Sequence, residues 1–194
     1  MNKLERTPAA AAHAMPRLIA FLRAINVGGH NVSMEKLRGL FETLGFGEVE
    51  TFIASGNVIF ASRSRDMAAL ERKIERWLEK TFGYEVKTFV RTLAEVADVA
   101  ARTPFPESRV KAAGAYCVGF LPAPLPPEAA RRVLALKSAE NDFHVNGREV
   151  YWLSTKSQGE SMFSNAVLEK TLAARSTFRG FNTILKLTAK YPPK

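Results

Sequence analysis

The order of hydrophobic patterns between Arg17 and Arg91 restricts the fold more than any other feature of this chain. Uninterrupted or alternating apolar runs of about five residues are typical of strands, whereas apolar residues spaced three and four apart are typical of helices. The predicted order is therefore strand, helix, strand, strand, helix, strand. The elements are a strand over Leu18–Leu22, a helix from Ser33 to Leu44, strands over Val49–Ile53 and Val58–Ala61, a helix over Asp66–Phe82 and a half-buried strand over Tyr84–Arg91.

This β-α-β-β-α-β order favours an α+β fold with a ferredoxin-like subdomain over residues 16–92. Two apolar helix stripes need one sheet to cover them, so both helices are expected on the same face of an antiparallel sheet. The first and third strands are the most apolar and are expected at its centre.

Residues 93–194 are predicted to form a second, smaller α+β subdomain, and no internal repeat is visible in the sequence. Asn146-Gly147 is a strong hairpin signal between two short apolar runs. The other predicted elements are helices over Thr92–Ala101, Glu128–Leu136, Ser161–Leu172 and Asn182–Tyr191 and a strand over Ala112–Leu121. Residues 1–15 are expected to be a flexible extension, in which Met15 is an alternative start.

Composition limits the class of protein. The net charge is +9 with a pI near 9.9, which favours encounters with phosphate-bearing partners. The single cysteine, Cys117, lies in an apolar run and is expected to pack in the core of a cytoplasmic protein. No segment is long enough to span a membrane, and no signal peptide is expected, so no membrane partner is predicted.

Known catalytic and cofactor motifs are missing. The three histidines are far apart and none is suitably spaced from Cys117, so neither a metal nor another cofactor is expected. The chain also lacks a Walker loop, a dinucleotide-binding G-x-G-x-x-G and a hydrolase G-x-S-x-G.

The best candidate site is the loop from Arg23 to Asn31, which leads from the first strand into the first helix. Backbone N–H groups at such a helix start are suited to holding an anion. Arg23, Asn26, Gly28, Gly29 and Asn31 are therefore predicted ligand-binding residues. Glycines and asparagines are also ordinary in tight turns, so a purely structural role is the alternative.

Two further segments are predicted to join this site. Ser55, Gly56 and Asn57 connect the second and third strands, although a hairpin needs such residues anyway. Asn182 and Lys186 lie one helical turn apart near the C-terminus, and Arg179 lies just before them. No acidic residue follows Glu169, so this stretch is a candidate anion or nucleic-acid contact; cations that merely suit a helix C-terminus are the alternative.

Four motifs carry a resemblance to a known family. They are F-L-R-A-I-N-V-G-G-H-N (Phe21–Asn31), I-A-S-G-N-V-I-F (Ile53–Phe60), P-F-P (Pro104–Pro106) and T-F-R-G-F-N-T-I-L-K-L (Thr177–Leu187). In this order the chain resembles the domain-of-unknown-function family 1697. The resemblance implies a two-part α+β protein, usually bacterial, whose first part is ferredoxin-like; it implies no established activity.

The sequence departs from the family pattern at three places. His30 stands where the family commonly has lysine, Met162 where a lysine often follows serine, and Gly180-Phe181 where Asn-Trp is usual.

The functional hypothesis is a cytoplasmic protein that binds a small anionic or phosphorylated ligand between its two subdomains. One alternative is an enzyme that uses Arg23 and Lys186 as electrostatic stabilisers, although the motifs contain no evident general base. A weak nucleic-acid-binding protein is a second alternative, disfavoured because the strand Asn57–Phe60 lacks paired stacking aromatics. An interaction protein whose loops serve only folding is a third. The sequence predicts no oligomeric state.

Overall fold

Two four-stranded antiparallel sheets form the centre of the protein. The structure is a computed structural model that describes residues 15–26, 29, 31–53 and 56–193. Its strands are β1 Arg17–Leu22, β2 Gly47–Thr51, β3 Asn57–Ala61, β4 Thr88–Thr92, β5 Ala115–Phe120, β6 Asn141–Asn146, β7 Glu149–Ser154 and β8 Thr177–Gly180. Its helices are α1 Met34–Thr43, α2 Met67–Phe82, α3 Leu93–Ala101, α4 Glu107–Lys111, α5 Pro127–Leu134, α6 Asn165–Leu172 and α7 Phe181–Lys190.

The first sheet has the order β2-β3-β1-β4, so β1 lies at its centre, as the sequence predicts. Helices α1 and α2 both cover one face of this sheet. Their apolar residues Leu37, Phe41, Leu70, Ile74 and Leu78 share a core with Leu18, Ala20, Leu22, Val58, Phe60 and Val90. The α+β class is confirmed.

Local sequence signals account for the ends of these helices. The Ser33 hydroxyl accepts a hydrogen bond from the Lys36 N–H at 3.1 Å, and α1 begins after it. Asp66 caps α2 in the same way, and Gly83 ends it with a φ of +77°.

The second sheet repeats the arrangement of the first. Its order is β6-β7-β5-β8, and the element order β5-α5-β6-β7-α6-β8 matches β1-α1-β2-β3-α2-β4. Cys117, Val133, Trp152 and Leu168 lie in the core between this sheet and helices α5 and α6. The absence of an internal repeat, inferred from the sequence, is therefore wrong for topology, and the short β8 and α4 were not predicted.

The free faces of the two sheets pack against each other. The rings of Phe21 and Phe120 stack at this interface with centroids 4.1 Å apart and planes 11° apart. Helices α3 and α7 pack on the same layer and on each other. Phe89 and Arg91 are therefore buried, although the strand that contains them is predicted to be half-buried.

Side chains of α2 cover the outer edge of the first sheet. Glu71 accepts a hydrogen bond from the Val90 N–H at 2.7 Å, and Glu75 accepts one from the Thr88 N–H at 3.0 Å. These carboxylates occupy N–H groups of the edge strand β4 that would otherwise be open to another chain.

The predicted flexible extension, residues 1–15, lies outside the described residues except for Met15. Within the described residues no helix is long and apolar enough to cross a membrane.

Candidate functional site

Arg179 joins β8 of the second sheet to the end of β1 and to the predicted segment at Gly56 and Asn57. Its Nε donates to Asn57 Oδ1 at 2.6 Å, and its Nη2 donates to the carbonyl oxygens of Leu22 at 2.8 Å and Gly56 at 3.3 Å. These acceptors lie at the end of β1 and the start of β3. The structure therefore places Arg179 against the segment at Gly56 and Asn57 and against the strand end from which the first loop leaves.

The guanidinium of Arg179 is buried with only neutral acceptors around it. Its Nη1 donates to Thr177 Oγ1 and to the Phe178 carbonyl, so each of its five N–H groups has an acceptor. The residue is 7% exposed, and no described carboxylate lies within ion-pair distance. Burial lowers the pKa of Arg179 to about 10, so it stays charged at neutral pH.

Arg91 occupies the equivalent position in the first sheet. Arg91 pairs with Ile19 of β1, as Arg179 pairs with Val118 of β5. The two central strands also match at the phenylalanines that stack on each other, since Phe21 pairs with Asn57 and Phe120 pairs with Glu149. Each arginine extends across the interface toward the other sheet.

Each hydrogen bond of Arg91 has a counterpart at Arg179, which makes one more, to Thr177 Oγ1. Arg91 Nε donates to Glu149 Oε1 at 2.8 Å, and its Nη2 donates to the carbonyls of Leu121 at 2.8 Å and Arg148 at 3.5 Å. Its Nη1 donates to the Val90 carbonyl at 2.9 Å. Each guanidinium also lies over the phenylalanine of the opposite sheet, at 5.4 Å for Arg91 and 5.7 Å for Arg179.

The two arginines differ in the residue that accepts the hydrogen bond from Nε. Glu149 neutralises Arg91, whereas Asn57 stands at the equivalent position beside Arg179. Amide and carboxylate oxygens both accept the Nε hydrogen bond, but only the carboxylate compensates the charge. The end of the interface that holds the two predicted loops therefore carries an uncompensated buried cation.

Arg23 begins the first loop, residues 23–31, and holds it to α6. Its Nε and Nη2 donate to the two carboxylate oxygens of Glu169 at 2.6 and 2.8 Å. Although burial alone would raise the pKa of Glu169, hydrogen bonds from Arg23 and the Ser176 N–H hold that pKa below its ordinary value. Arg23, predicted as a ligand-binding residue, is thus part of an internal ion pair.

Asn26 braces the same loop. Its Oδ1 accepts from the Val32 N–H at 2.7 Å, and its Nδ2 donates to the Val32 carbonyl at 3.4 Å. The Tyr84 hydroxyl donates to the carbonyl of Ile25 at 3.1 Å. These hydrogen bonds hold the two ends of the loop in place.

Gly56 lets the second loop, residues 53–57, lie directly on the first. Its φ is +72°, and a Cβ at this position would come within 2.7 Å of Ile25 Cγ2 and 3.2 Å of Leu22 Cβ. Glycine is therefore required both by the backbone conformation and by the close approach.

Both loops contain strained backbone. Ala24 has a φ of 56° and Ile53 a φ of 58°, a conformation that is rare for residues with a side chain and unfavourable for a β-branched one. Ile53 is also 49% exposed, so burial of its side chain does not explain the conformation. Such strain costs on the order of 1–3 kcal/mol per residue and is common at ligand sites.

A cleft of about 520 Å³ opens beside the first loop. Arg23, Glu169, Lys170 and Arg175 line it together with alanines of α6 and the turn after α6. Arg175 lies 3.5 Å from Glu169 and 3.2 Å from Glu85. Among the described residues, three cations and one carboxylate therefore line this cleft, and two of the cations contact that carboxylate.

The other predicted site residues are distributed differently. Gly29 and Asn31 are exposed in the first loop, and Gly28 and Ser55 lie outside the described residues. Asn182 and Lys186 are exposed on α7 and take no part in the contacts of Arg179 or Arg23.

The partners of these residues are almost without a signal in the sequence. Glu169 and Glu149 face the arginines across the interface, and the only sequence signal was that Glu169 is the last acid before the basic C-terminal stretch. Within the described residues, no three His, Cys, Asp or Glu side chains are grouped as a metal site would need.

Comparisons with known proteins agree with the first three of the sequence motifs, which lie within the matched residues. The model of a family described as a protein of unknown function, DUF1697, matches residues 15–151. The chain belongs to the DUF1697 family. No curated protein matches it.

A solved structure extends this DUF1697 assignment to the fold. It is that of a conserved bacterial protein from Streptococcus pneumoniae, with a TM-score of 0.69 and 22% identity, covering 93% of this chain and 100% of the other. At this identity the likeness shows a shared fold.

The remaining family motif, Pro104–Pro106, packs against the interface rather than the loops. Phe105 contacts the ring of Tyr116 edge-on at 5.7 Å, and Tyr116 stacks on Phe181 of α7 at 4.2 Å. Burial raises the pKa of Tyr116 to about 12. In this DUF1697 protein Phe105 of the P-F-P segment therefore belongs to the core that the two sheets share.

Proposed function

We propose that this protein binds a small anionic or phosphorylated ligand where the first and second loops meet, between its two sheets. The observation that carries the proposal is the buried charge of Arg179, which lacks the carboxylate that its equivalent Arg91 has. A cation removed from water acts over a longer distance than an exposed one, because less solvent screens it.

Arg179 acts in this proposal through its field and through the second loop and the end of β1, which it holds. Its N–H groups are already bonded to protein acceptors, so it is a positioning residue rather than a direct ligand contact. Backbone N–H groups of the first loop are the expected donors to the anion, because they precede the N-terminus of α1. Arg23, Lys170 and Arg175 add positive charge beside the loop.

Two alternatives have less support. An enzyme at this site would need a general base, and the nearest candidate, Glu169, is a weak one because its pKa is held below the ordinary value. A nucleic-acid-binding protein would rely on dispersed surface charge, which salt screens strongly. A cytoplasmic location fits the single, buried, free Cys117.

Thermal unfolding with inorganic phosphate tests the proposal. Phosphate at about 100 times its dissociation constant should raise the unfolding temperature by roughly 5–10 °C in about 0.15 M chloride. Asn57→Asp places a carboxylate on Arg179 and should abolish this rise. Because Asn57 also donates to the Phe52 carbonyl at 2.9 Å, Arg179→Gln serves as a second variant that removes the charge directly.

Matched controls make the same charge changes at exposed positions. Gln158→Glu adds one negative charge and Arg76→Gln removes one positive charge, and both should keep the full effect of phosphate. If Asn57→Asp and Arg179→Gln fold and respond to phosphate as the unmodified protein does, the loop site is excluded. Protection by a short RNA at the same salt, without protection by phosphate, would favour the nucleic-acid alternative.

A further inference from the structure

A second polar cleft lies at the opposite edge of the second sheet, between the end of α3 and strand β6. Its volume is about 630 Å³. The side chains that line it include those of Asp98, Arg102, Thr103, Pro104, His144 and Asn146. None of these residues belongs to the two loops.

The repeat in the fold gives this cleft a counterpart, centred on Glu50. Glu50 of β2 pairs with Ile59, and His144 of β6 pairs with Tyr151, the residue equivalent to Ile59. His144 therefore occupies the position of Glu50 in the other sheet.

In the first sheet, the side chain of Glu50 is already bonded to other residues of the protein. Glu50 accepts hydrogen bonds from Arg17 at 2.6 Å and from the Tyr191 hydroxyl at 2.8 Å, and Lys190 lies 3.4 Å away. Tyr191 is the residue that directly follows α7. The first sheet thus uses its polar groups at this position for its own stability.

The arrangement around His144 is different. Arg102 directly follows α3, as Tyr191 follows α7, but Arg102 forms no ion pair with a described carboxylate. Behind it, the hydroxyl of Tyr151 donates to the Val99 carbonyl at 3.2 Å, so this tyrosine is occupied within the protein. The exposed guanidinium of Arg102 and the half-buried imidazole of His144 consequently face an open cleft.

We propose that this β6 cleft is a second, separate site that binds an oxyanion, a carboxylate or phosphate group. Arg102 supplies the positive charge, and its guanidinium can donate two parallel hydrogen bonds to such a group. His144, Thr103 and Asn146 supply further hydrogen-bond donors. The site does not depend on the loops, on Arg179 or on the function proposed above.

Asp98 opposes the anion and gives the site a distinctive signature. It lies on α3 and contributes the one carboxylate among the described residues that line this cleft. Removing its charge should therefore strengthen anion binding, an effect that a merely structural role for these residues would not produce.

Proton binding by His144 is the direct readout. Burial, together with the charge of Arg102, lowers the pKa of His144 below its ordinary value of 6.5, so the imidazole is neutral at pH 7. Tyr151, from β7, is the other titratable group in contact with it. A bound anion favours the imidazolium, so it must raise the pKa of His144, and by the same linkage the anion must bind more tightly as the pH falls.

Proton NMR of the full chain tests these expectations. His144 is identified among the three histidines as the signal lost in His144→Asn. Saturating inorganic phosphate should raise its pKa by at least about half a unit, a roughly threefold preference for the protonated form. Arg102→Gln should abolish this rise, and Asp98→Asn should lower the phosphate concentration needed for it.

Two controls separate this site from the loop site. Arg72→Gln, the same change at an exposed position on α2, should leave the response of His144 intact, and so should Asn57→Asp. A His144 pKa that phosphate does not move would overturn the proposal, as would an unchanged response in Arg102→Gln. Acetate in place of phosphate distinguishes a carboxylate site from one that requires a phosphate group.

Discussion

At the scale of single residues, two equivalent arginines show how one neighbouring residue changes a role. Arg91 and Arg179 make matching hydrogen bonds to the opposite sheet, and both are buried. A buried ion pair contributes little net stability, but removing one partner leaves an uncompensated charge in a poorly solvating environment. Arg91 with Glu149 is such a pair, whereas Arg179 with Asn57 is a lone cation.

This difference predicts the behaviour of variants at Arg91. Arg91→Met leaves the Glu149 carboxylate, which is 8% exposed, without its partner and should cost roughly 3–5 kcal/mol of unfolding free energy. The double variant Arg91→Met, Glu149→Gln should recover part of that loss, because the remaining amide carries no charge. Urea unfolding measures both values.

Arg76→Met is the control for the loss of an exposed arginine on α2 and should change the unfolding free energy by less than about 0.5 kcal/mol. A double variant as unstable as Arg91→Met would show that the buried charge is not the source of the cost.

At the scale of elements, helix α2 both covers the first sheet and closes its edge. Glu71 and Glu75 lie one helical turn apart and accept from alternate N–H groups of β4. Burial raises the pKa of Glu71 above its ordinary value of 4.5, despite the hydrogen bond from the Val90 N–H. The contact therefore covers the edge of the sheet, but burying the negative charge of Glu71 costs free energy.

The raised pKa of Glu71 fixes the sign of a pH effect. The folded state binds this proton more tightly than the unfolded state, so the resulting stability is fully present below about pH 4.5 and is lost as the pH rises through the raised pKa. Glu71→Gln keeps an acceptor for Val90 without the charge. It should be at least as stable as the unmodified protein at pH 7, and its advantage should shrink toward pH 4.5.

Urea unfolding at the two pH values measures that trend. Glu71→Ala, which leaves the Val90 N–H without this acceptor, should lose about 1–3 kcal/mol at both. If Glu71→Gln were less stable than the unmodified protein at pH 7 and closer to it at pH 4.5, the raised pKa assigned to Glu71 would be contradicted.

At the scale of the whole molecule, the sequence predicts the first sheet and its helices because their signals are local. Ser33, Gly83 and the apolar stripes of α1 and α2 act over a few residues. The interface between the sheets gives no such signal, since Arg179 and Asn57 are 122 residues apart. The repeat is equally hidden, and the Phe-Leu pairs Phe21-Leu22 and Phe120-Leu121 are a rare trace of it.

The candidate loops were visible for the same reason. Glycine and asparagine mark turns wherever they occur, so the first and second loops stood out, and Gly56 has a positive φ, as glycine in a turn often does. The internal pairing of Arg23 with Glu169 depends on a contact across 146 residues and could not be predicted.

The shared layer between the sheets predicts a single cooperative unfolding transition. Ile19, Phe21, Val118 and Phe120 belong to one core, so a protein that lost one sheet would expose the inner face of the other. The sequence-based division into residues 16–92 and 93–194 therefore should not produce two unfolding steps.

The two tryptophans allow a direct test, because each reports on one sheet. Trp77 lies on α2 and Trp152 on β7, so Trp152→Phe leaves a reporter for the first sheet and Trp77→Phe leaves one for the second. In each variant the fluorescence transition in urea should coincide with the loss of far-ultraviolet circular dichroism, which reports on the whole chain. Comparing the two signals within each variant removes any effect of the substitution on overall stability. A fluorescence midpoint that precedes the dichroism midpoint in one variant and follows it in the other would mean that the two sheets unfold independently, and the stacked Phe21 and Phe120 would then contribute too little to couple them.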